Sequence, residues 1–309
     1  MLCARRGGRR SGGVVMGRTV GTLAAVAVVL ALGLAVSGAS CKPKAKPAGG
    51  GTGGSSEATA PIVVGAPDGV EGEVLGAIVM RLLKAEGIEA SAVEPYRRAE
   101  DVANAVRDGR VTAFVAHSAF SGGLTVVAMT TAHSGEVICT SKDVSDLYML
   151  RSLDDFASYA KGGGDVRLAC SERFASVAAG LKALQEAYGL ALGPDQIDAR
   201  SDTTTPAAVA DLAAGRVTFA VASGTDPAID DLGLVILDDP RSFAETGAPV
   251  LVVKDEVLAA HPQLADAFDA AFAGLTTEVL RGLNRRVAYG GESADAVAEE
   301  YLSGGGYLK

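Results

Sequence analysis

The sequence predicts an α/β protein with two similar lobes, two mostly parallel sheets and a helical C-terminal tail. First, strand-like and helix-like apolar patterns alternate between residues 61 and 253. Second, a helix–glycine–arginine–strand phrase occurs twice, at 105–118 and at 211–224. Third, the patterns between Asp255 and Leu302 are helical. Alternation of this kind is typical of sheets that are covered by helices.

The repeated phrase has the same layout in both copies. An apolar helical pattern ends at Gly109 or at Gly215, where a helix C-terminus favours a positive φ. An arginine and a short run of Val, Thr and Phe follow, which indicates a buried strand. Small polar residues come directly after each strand. Because ligands of open α/β sheets bind beyond the carboxyl ends of the strands, the repeat predicts a cleft between two lobes.

The remaining elements follow from apolar spacing. The segment Val70–Ala85 places apolar residues on one helical face, and Pro262 is typical of the start of a helix in the tail. Further helices are predicted at 100–108, 153–160 and 175–188, and strands at 62–64, 111–116, 124–129, 137–140, 166–170, within 206–222, at 234–237 and at 249–253.

Residues 1–41 have the layout of a secretory signal. Five arginines precede an uninterrupted apolar run, Thr22–Val36, and small residues then lead to Cys41. This layout resembles a bacterial lipoprotein signal, in which the cysteine is lipidated and becomes the mature N-terminus. The alternative is an uncleaved anchor, although the apolar run hardly reaches the roughly 20 residues of a spanning helix. Both interpretations tether the protein outside the cytoplasm.

Residues 42–60 are rich in Gly, Ser and Pro and predict a flexible linker. The folded part is therefore expected at 61–309. The chain has 28 basic and 37 acidic residues; without the three Lys, five Arg and Glu57 of residues 1–60, 20 basic and 36 acidic residues remain, a net charge of −16. Such a charge argues against nucleic acid or an anionic membrane surface as the partner.

Two of the four cysteines lie in the predicted folded part. Cys139 and Cys170 both occur in apolar strand-like runs. An oxidising compartment would permit a disulfide between them, and two buried free thiols are the alternative.

The sequence lacks the common catalytic and cofactor motifs, including the nucleophile elbow, the zinc-binding His-Glu-x-x-His and the phosphate loop. The chain has three histidines, His117, His133 and His261, with no ligand spacing typical of a metal site. We therefore expect no enzyme activity, no cofactor and no metal. His117 and His133 both follow strands and could contact a polar ligand, or could be structural.

Several short segments, in their order and spacing, resemble one family over nearly all of residues 62–309. It is the family of extracytoplasmic substrate-binding proteins of osmoprotectant ABC transporters, whose ligands are glycine betaine, carnitine and choline. The segments are Ile62–Gly65, Glu71–Gly76, Phe174 with Tyr188–Leu190, Ser223–Asp226, Leu237–Asp239, Ala248–Val250, Leu275–Glu278, Leu283–Asn284, Val297–Ala298 and Tyr301–Leu302.

The resemblance implies a type II periplasmic-binding-protein-like fold, in which two crossover strands join the lobes and a hinge closes them on the ligand. It places lobe 1 at 61–136 and 254–309, and lobe 2 at 137–253. It also implies an ABC permease and an ATPase as partners.

The resemblance weakens at the ligand cage. The family grips a quaternary ammonium between aromatic rings. Here, the aligned positions carry Gly69–Gly72, His117–Ser118 and, in place of a ring, Glu245, while Phe174 and Phe120 keep rings. An acid such as Glu245 or Asp226 could pair with a cation directly, which would suit an amine or an amino acid.

The candidate ligand-binding residues come from both lobes. They are Asp68, Glu71, His117 and Ser118 from lobe 1, and Phe174, Thr225, Asp226 and Glu245 from lobe 2. Glu71 could instead simply interact with the dipole of its helix, and Asp226 could simply cap the helix that starts near Pro227.

The main hypothesis is a lipid-anchored solute-binding component of an ABC importer, which binds a small polar or cationic solute without chemistry. The alternative is a membrane-tethered sensory or interaction module of the same fold that has lost the transporter ligand.

Overall fold

Two five-stranded sheets organise the computed structural model, which describes residues 61–117, 120, 122–201, 206–244 and 247–308. The first sheet contains β1 (Ile62–Pro67), β2 (Ala90–Tyr96), β3 (Ala113–Ala116), β4 (Leu124–Met129) and β10 (Val250–Lys254), in the order β2-β1-β3-β10-β4. The second contains β5 (Glu136–Ser141), β6 (Leu168–Ser171), β7 (Ile197–Arg200), β8 (Phe219–Ser223) and β9 (Leu234–Ile236), in the order β7-β6-β8-β5-β9. We call each sheet with its helices a lobe.

The helices divide between the lobes. Those of the first lobe are α1 (Val70–Ala85), α2 (Ala99–Arg107), α9 (Asp255–Ala260), α10 (Leu264–Ala273), α11 (Thr277–Ala288) and α12 (Ala294–Gly304). Those of the second lobe are α3 (Lys142–Tyr148), α4 (Leu153–Lys161), α5 (Glu172–Ser176), α6 (Ala183–Tyr188), α7 (Pro206–Ala213) and α8 (Pro227–Asp231). A π-helical turn at Ala178–Lys182 precedes α6, and a 3₁₀ turn lies at Pro194–Gln196. The predicted helical C-terminal tail is confirmed.

The two copies of the repeated phrase occupy equivalent places. Helix α2 leads through Gly109 into β3, and α7 leads through Gly215 into β8, with φ values of 74° and 68° at the two glycines. Each of these strands is third in its sheet and has a parallel neighbour on one side and an antiparallel neighbour on the other. The prediction of two similar α/β units from this repeat is therefore confirmed.

The expectation of mostly parallel sheets is wrong, because both sheets are mixed. In the first, β1 pairs in parallel with β2 and β3, whereas β10 runs antiparallel to β3 and β4. In the second, β6 pairs in parallel with β7 and β8, whereas β5 runs antiparallel to β8 and β9. Strands β5 and β10 each begin just after the chain has crossed between lobes. Each therefore enters its sheet beside the carboxyl end of a parallel strand and runs the opposite way.

The chain crosses from the first sheet to the second through residues 130–135. It returns between Ala244 and Val250, because Leu237 and Phe243 still pack on the core of the second lobe. The sequence placed the return boundary at residue 253, within lobe 2. Strand β10 instead pairs with β3 and β4 of the first sheet, so its residues belong to the first lobe. We propose 61–129 and 250–308 for the first lobe and 136–244 for the second.

The sequence missed β2, α3 and β7, and it predicted one helix where the chain breaks. Strands β2 and β7 lie at the sheet edges and lack a continuous apolar run, which removes the signal of a buried strand. The helix expected at 175–188 is interrupted at Val177, which has extended backbone angles, and at Gly180.

The disulfide considered between Cys139 and Cys170 does not form, because both thiols are free and buried. Their strands, β5 and β6, pair with opposite sides of β8, so they lie two strand spacings apart, or about 9.6 Å. That separation exceeds the roughly 7 Å limit between the Cα atoms of a disulfide. Burial raises the pKa of the Cys139 thiol to about 12 and that of Cys170 to about 11. Both thiols therefore stay protonated and unreactive near neutral pH.

The arginine of the repeated phrase pairs with an acid in both lobes. Arg110 contacts Glu94 at 2.9 Å on the surface, whereas Arg216 donates to the buried Asp211 from Nε at 2.6 Å. Asp211 also accepts a hydrogen bond from Arg200. The second copy therefore contains the more shielded version of the same contact.

This difference predicts unequal stability effects. We expect Asp211→Asn to lower the free energy of unfolding by about 2 kcal/mol, because charge-assisted bonds to a buried carboxylate are lost. Glu94→Gln, which alters the exposed pair, should cost less than about 1 kcal/mol. Urea unfolding of the two variants measures both values, and equal losses would contradict the assignment.

Candidate functional site

The polar ends of β1, β3 and β8 meet at the junction of the two lobes, around the carboxylate of Glu71. Glu71 lies in the first turn of α1, directly after β1. His117 follows β3, and Thr225 follows β8 of the other lobe. These three residues were predicted from three separate parts of the sequence, and the structure brings their side chains together.

The Glu71 carboxylate contacts three side chains. His117 Nε2 lies 2.9 Å from Oε1, and the hydroxyl groups of Ser134 (at 3.1 Å) and Thr225 both donate to Oε2. A carboxylate only accepts hydrogen bonds, so Nε2 of His117 carries a proton in this contact. The Glu71 side chain is 19% exposed. One partly shielded carboxylate therefore joins the first lobe, the crossing at 130–135 and the second lobe.

Local backbone geometry places Glu71 at this point. Gly69 precedes α1 with a φ of 112°, a conformation that side chains rarely permit. A Cβ atom at Gly72 would lie 1.7 Å from the carbonyl oxygen of Pro67, so glycine allows α1 to begin close against β1. The positive end of the α1 dipole also favours a carboxylate in the first turn. The alternative role considered for Glu71, an acid at a helix N-terminus, thus coexists with its contacts across the junction.

The turn that carries Thr225 packs closely on the crossing segment. Ser223 Oγ donates to the carbonyl of Ser134 at 3.1 Å, and Gly224 N donates to the carbonyl of Gly135 at 3.0 Å. A Cβ atom at Gly224 would lie 2.1 Å from the carbonyl oxygen of His133. The second lobe therefore approaches the crossing more closely than a residue with a side chain would allow.

Helix α11 holds the same turn from the first lobe. Arg281 Nη1 donates to the carbonyl of Gly224 at 3.0 Å, and Asn284 Nδ2 donates to the carbonyl of Thr225 at 3.2 Å. Arg281 also pairs with Asp230 of α8 at 2.9 Å. The turn that contributes Thr225 is thus fixed from two directions.

The other predicted residues lie apart from Glu71 or serve the backbone. Asp68 pairs with Arg97 at 2.9 Å on the surface. Asp226 caps α8, where its Oδ1 accepts a hydrogen bond from Ala228 N at 2.9 Å, and it is buried. This contact matches the capping alternative considered for Asp226. Ser118 and Glu245 lie outside the described residues, as does Cys41.

The two rings expected near the cleft pack against other aromatic rings. Phe174 is 1% exposed and contacts Phe243 edge-on, with ring centroids 6.4 Å apart. Phe120 contacts the buried Phe114 in the same way, at 4.9 Å. Phe174 is thereby shielded from solvent, whereas Phe120 is half-buried. The surroundings of Glu71 are therefore defined by hydroxyl, imidazole and backbone groups.

Sequence reasoning missed Ser134, Arg281 and Asn284. Ser134 lies in a crossing with no periodic pattern, and its sequence neighbourhood gives no signal of a role. Arg281 and Asn284 are three residues apart and share one face of α11, which polar periodicity could have revealed. Their partners are backbone carbonyls of the other lobe, and a single sequence carries no record of such contacts.

Within the described ranges, no group of three or more His, Cys, Asp and Glu residues could hold a metal ion. In the same part of the chain, no helix is both long enough and apolar enough to cross a membrane.

Two α/β lobes that present strand ends to a shared polar junction are characteristic of the substrate-binding proteins of importers. The structure resembles that of apo YehZ from Escherichia coli, with a TM-score of 0.67 and 27% identity over 81% of this chain and 100% of that one. It also resembles a glycine betaine/carnitine/choline ABC transporter protein, with a TM-score of 0.70 and 17% identity over 80% of this chain and 100% of that one. The fold is therefore the two-lobed periplasmic-binding-protein-like fold.

The sequence comparisons specify the family. Residues 60–304 match the substrate-binding domain of the ABC-type glycine betaine transport system. The chain is also 29% identical, over 82% of its length and 93% of the relative's, to the glycine betaine-binding protein YehZ of Escherichia coli K12. The chain belongs to this family of extracytoplasmic solute-binding proteins, which work with ABC permease and ATPase components. The predicted family and solute-binding role are confirmed.

The close contact at Gly224 is open to a direct test. We expect Gly224→Ala to lower the free energy of unfolding by about 2 kcal/mol, because the new Cβ must displace the crossing segment. Gly282→Ala, on α11 with no atom within 4 Å of the added Cβ, is the matched control and should stabilise by up to about 1 kcal/mol. Thermal unfolding of both variants measures these changes. A Gly224→Ala protein as stable as the wild type would contradict the close contact at Gly224.

Proposed function

We propose that the chain binds a small cationic or zwitterionic solute of the glycine betaine class at the lobe junction, with Glu71 facing the positive charge. The observation that carries the proposal is the convergence on Glu71 of side chains from both lobes and from the crossing between them. Both the family and the name of the relative YehZ support this class of solute.

The chemistry of Glu71 suits a cation. A carboxylate has about four lone-pair sites, and three protein side chains contact the two oxygens of Glu71. The partial shielding of the carboxylate strengthens its attraction for a positive charge relative to bulk water. With the rings of Phe174 and Phe120 packed elsewhere, charge pairing takes the place of an aromatic cage. An amine with N–H groups could also donate to the remaining lone pair.

The proposed mechanism is binding with lobe closure. Glu71 and His117 belong to the first lobe, whereas Thr225 belongs to the second. A solute that contacts both sets is bound more tightly when the lobes are together, so it shifts the population towards the closed form. Asp68, Ser118, Phe174, Asp226 and Glu245 remain candidate contacts from the sequence.

We further propose that the folded part is held at the outer face of the cell membrane by a lipid on Cys41, through the linker 42–60. Sequence pattern alone supports this anchor: a basic segment, an apolar run and small residues precede the cysteine. A lipid and a flexible tether would keep the protein near its permease. Mass measurement of the mature N-terminus tests the assignment, and an unmodified residue 41 would contradict it.

Calorimetry on the purified folded part tests the binding site. We expect glycine betaine, or a related amine among choline, carnitine, polyamines and amino acids, to give a saturable heat signal. Glu71→Gln should weaken binding at least about tenfold, because the charge that faces the cation is lost. Glu73→Gln is the matched control, since Glu73 is exposed in the same helical turn, and it should leave the affinity unchanged.

Two results would contradict the proposal. An absence of heat with every solute, together with an absence of thermal stabilisation in a mixed metabolite screen, would favour the sensory or interaction module. Equal affinities of wild type and Glu71→Gln would exclude Glu71 from the solute site.

A further inference from the structure

Helix α11 belongs to the first lobe by its packing, but its polar side chains reach the second. Leu280 and Leu283 are part of the first lobe's apolar core. On another face, Arg281, Asn284 and Arg285 contact the backbone of the 224–225 turn or the acids of α8. Helix α11 therefore contacts both lobes, and it meets the second lobe at the 224–225 turn and at α8.

Among the contacts of α11 with the second lobe, the hydrogen bond of Asn284 is the most shielded from solvent. Asn284 is 1% exposed, and its Nδ2 donates to the carbonyl of Thr225 at 3.2 Å. One residue earlier, the carbonyl of Gly224 accepts from Arg281, whose side chain is 13% exposed. Two successive carbonyls are thus held by two neighbouring side chains of α11. Buried hydrogen bonds of this kind fix an orientation because their loss leaves a polar group without a partner.

The start of α11 holds the crossing segment as well. Thr277 Oγ1 accepts a hydrogen bond from His133 N at 2.8 Å, and the carbonyl of Leu275, just before the helix, accepts one from Thr131 N at 3.2 Å. Ser134, which donates to Glu71, directly follows His133. Both hydroxyl groups on Oε2 of Glu71 therefore come from segments that α11 or its N-terminal approach fixes.

We propose that Asn284 and Arg281 are positioning residues for the solute site. They hold the 224–225 turn so that the Thr225 hydroxyl stays on Glu71. This inference rests on the proposed function, because it assumes that solute binds at Glu71. Arg281 and Asn284 bond to the carbonyls of Gly224 and Thr225, so each acts through the turn that carries the Thr225 hydroxyl.

The same helix supplies a matched control. Arg285 pairs with Asp231 at 3.1 Å, beyond the 224–225 turn, and its side chain is 53% exposed. Removal of the Arg285–Asp231 pair should leave Thr225 in place, whereas removal of Arg281 or Asn284 should loosen the turn that carries it. The comparison therefore separates positioning of the turn from general attachment of α11 to the second lobe.

The first experiment is a double-mutant cycle with glycine betaine as the probe. We expect Asn284→Ala and Arg281→Ala each to raise the Kd about fivefold to tenfold, and Arg285→Ala to change it less than about twofold. In a Thr225→Val background, Asn284→Ala should raise the Kd by less than about a further twofold, because the hydroxyl that Asn284 positions is already absent. Full additivity of the two substitutions, or an effect of Arg285→Ala equal to that of Asn284→Ala, would overturn the proposal.

The second experiment needs no solute. The chain has three histidines, so the ring resonances of His117 can be assigned in an NMR spectrum by substitution. Thr225→Val removes one donor from Glu71 and should shift the His117 signals. Asn284→Ala and Arg281→Ala should shift them in the same direction at constant pH, and Arg285→Ala should not. Unshifted His117 signals in folded Asn284→Ala and Arg281→Ala proteins would overturn the proposal.

The two experiments can fail separately. If the wild-type protein fails to bind glycine betaine, the solute assignment for that probe fails, while the NMR experiment still decides the positioning role.

Discussion

The hydrogen bonds on the Glu71 carboxylate are the contacts on which the junction of the two lobes depends. His117, Ser134 and Thr225 donate from the first lobe, the crossing and the second lobe, so one acid ties three segments together. Glycines at the start of α1 and after β8 permit the close approaches that these bonds need. A carboxylate with such partners is restrained in orientation and only partly solvated, which makes it a suitable anchor for a small cation.

The proposed site at Glu71 differs in its chemistry from an aromatic cage. A cage of rings binds a quaternary ammonium through the negative faces of the rings. Here, the rings of Phe174 and Phe120 pack against other rings, and the junction presents a carboxylate and hydroxyl groups. A site built from a carboxylate and hydroxyl groups distinguishes solutes by whether they carry N–H donors as well as by their charge. Under the proposed function, charge pairing with Glu71 would take the role that rings have in an aromatic cage.

The repeated phrase predicted the two lobes because the same helix–glycine–strand unit packs the same way in each. Glu71 and His117 could be placed near each other because both follow carboxyl ends of strands in one sheet. Thr225 could be added because the strand ends of the two lobes were expected to face one cleft. The edge strands β2 and β7 lacked the apolar run on which strand prediction depends. Ser134 and Asn284 could not be found because their roles arise from contacts between distant segments. The burial of Phe174 was missed for the same reason, since its partner, Phe243, is 69 residues away.

A crystal structure of the folded part with glycine betaine tests the central claim most directly. We expect the ammonium nitrogen to lie within about 5 Å of the Glu71 carboxylate, between His117 of one lobe and Thr225 of the other. A solute bound in another cavity, or one whose nitrogen faces aromatic rings with Glu71 still bonded only to protein side chains, would contradict it.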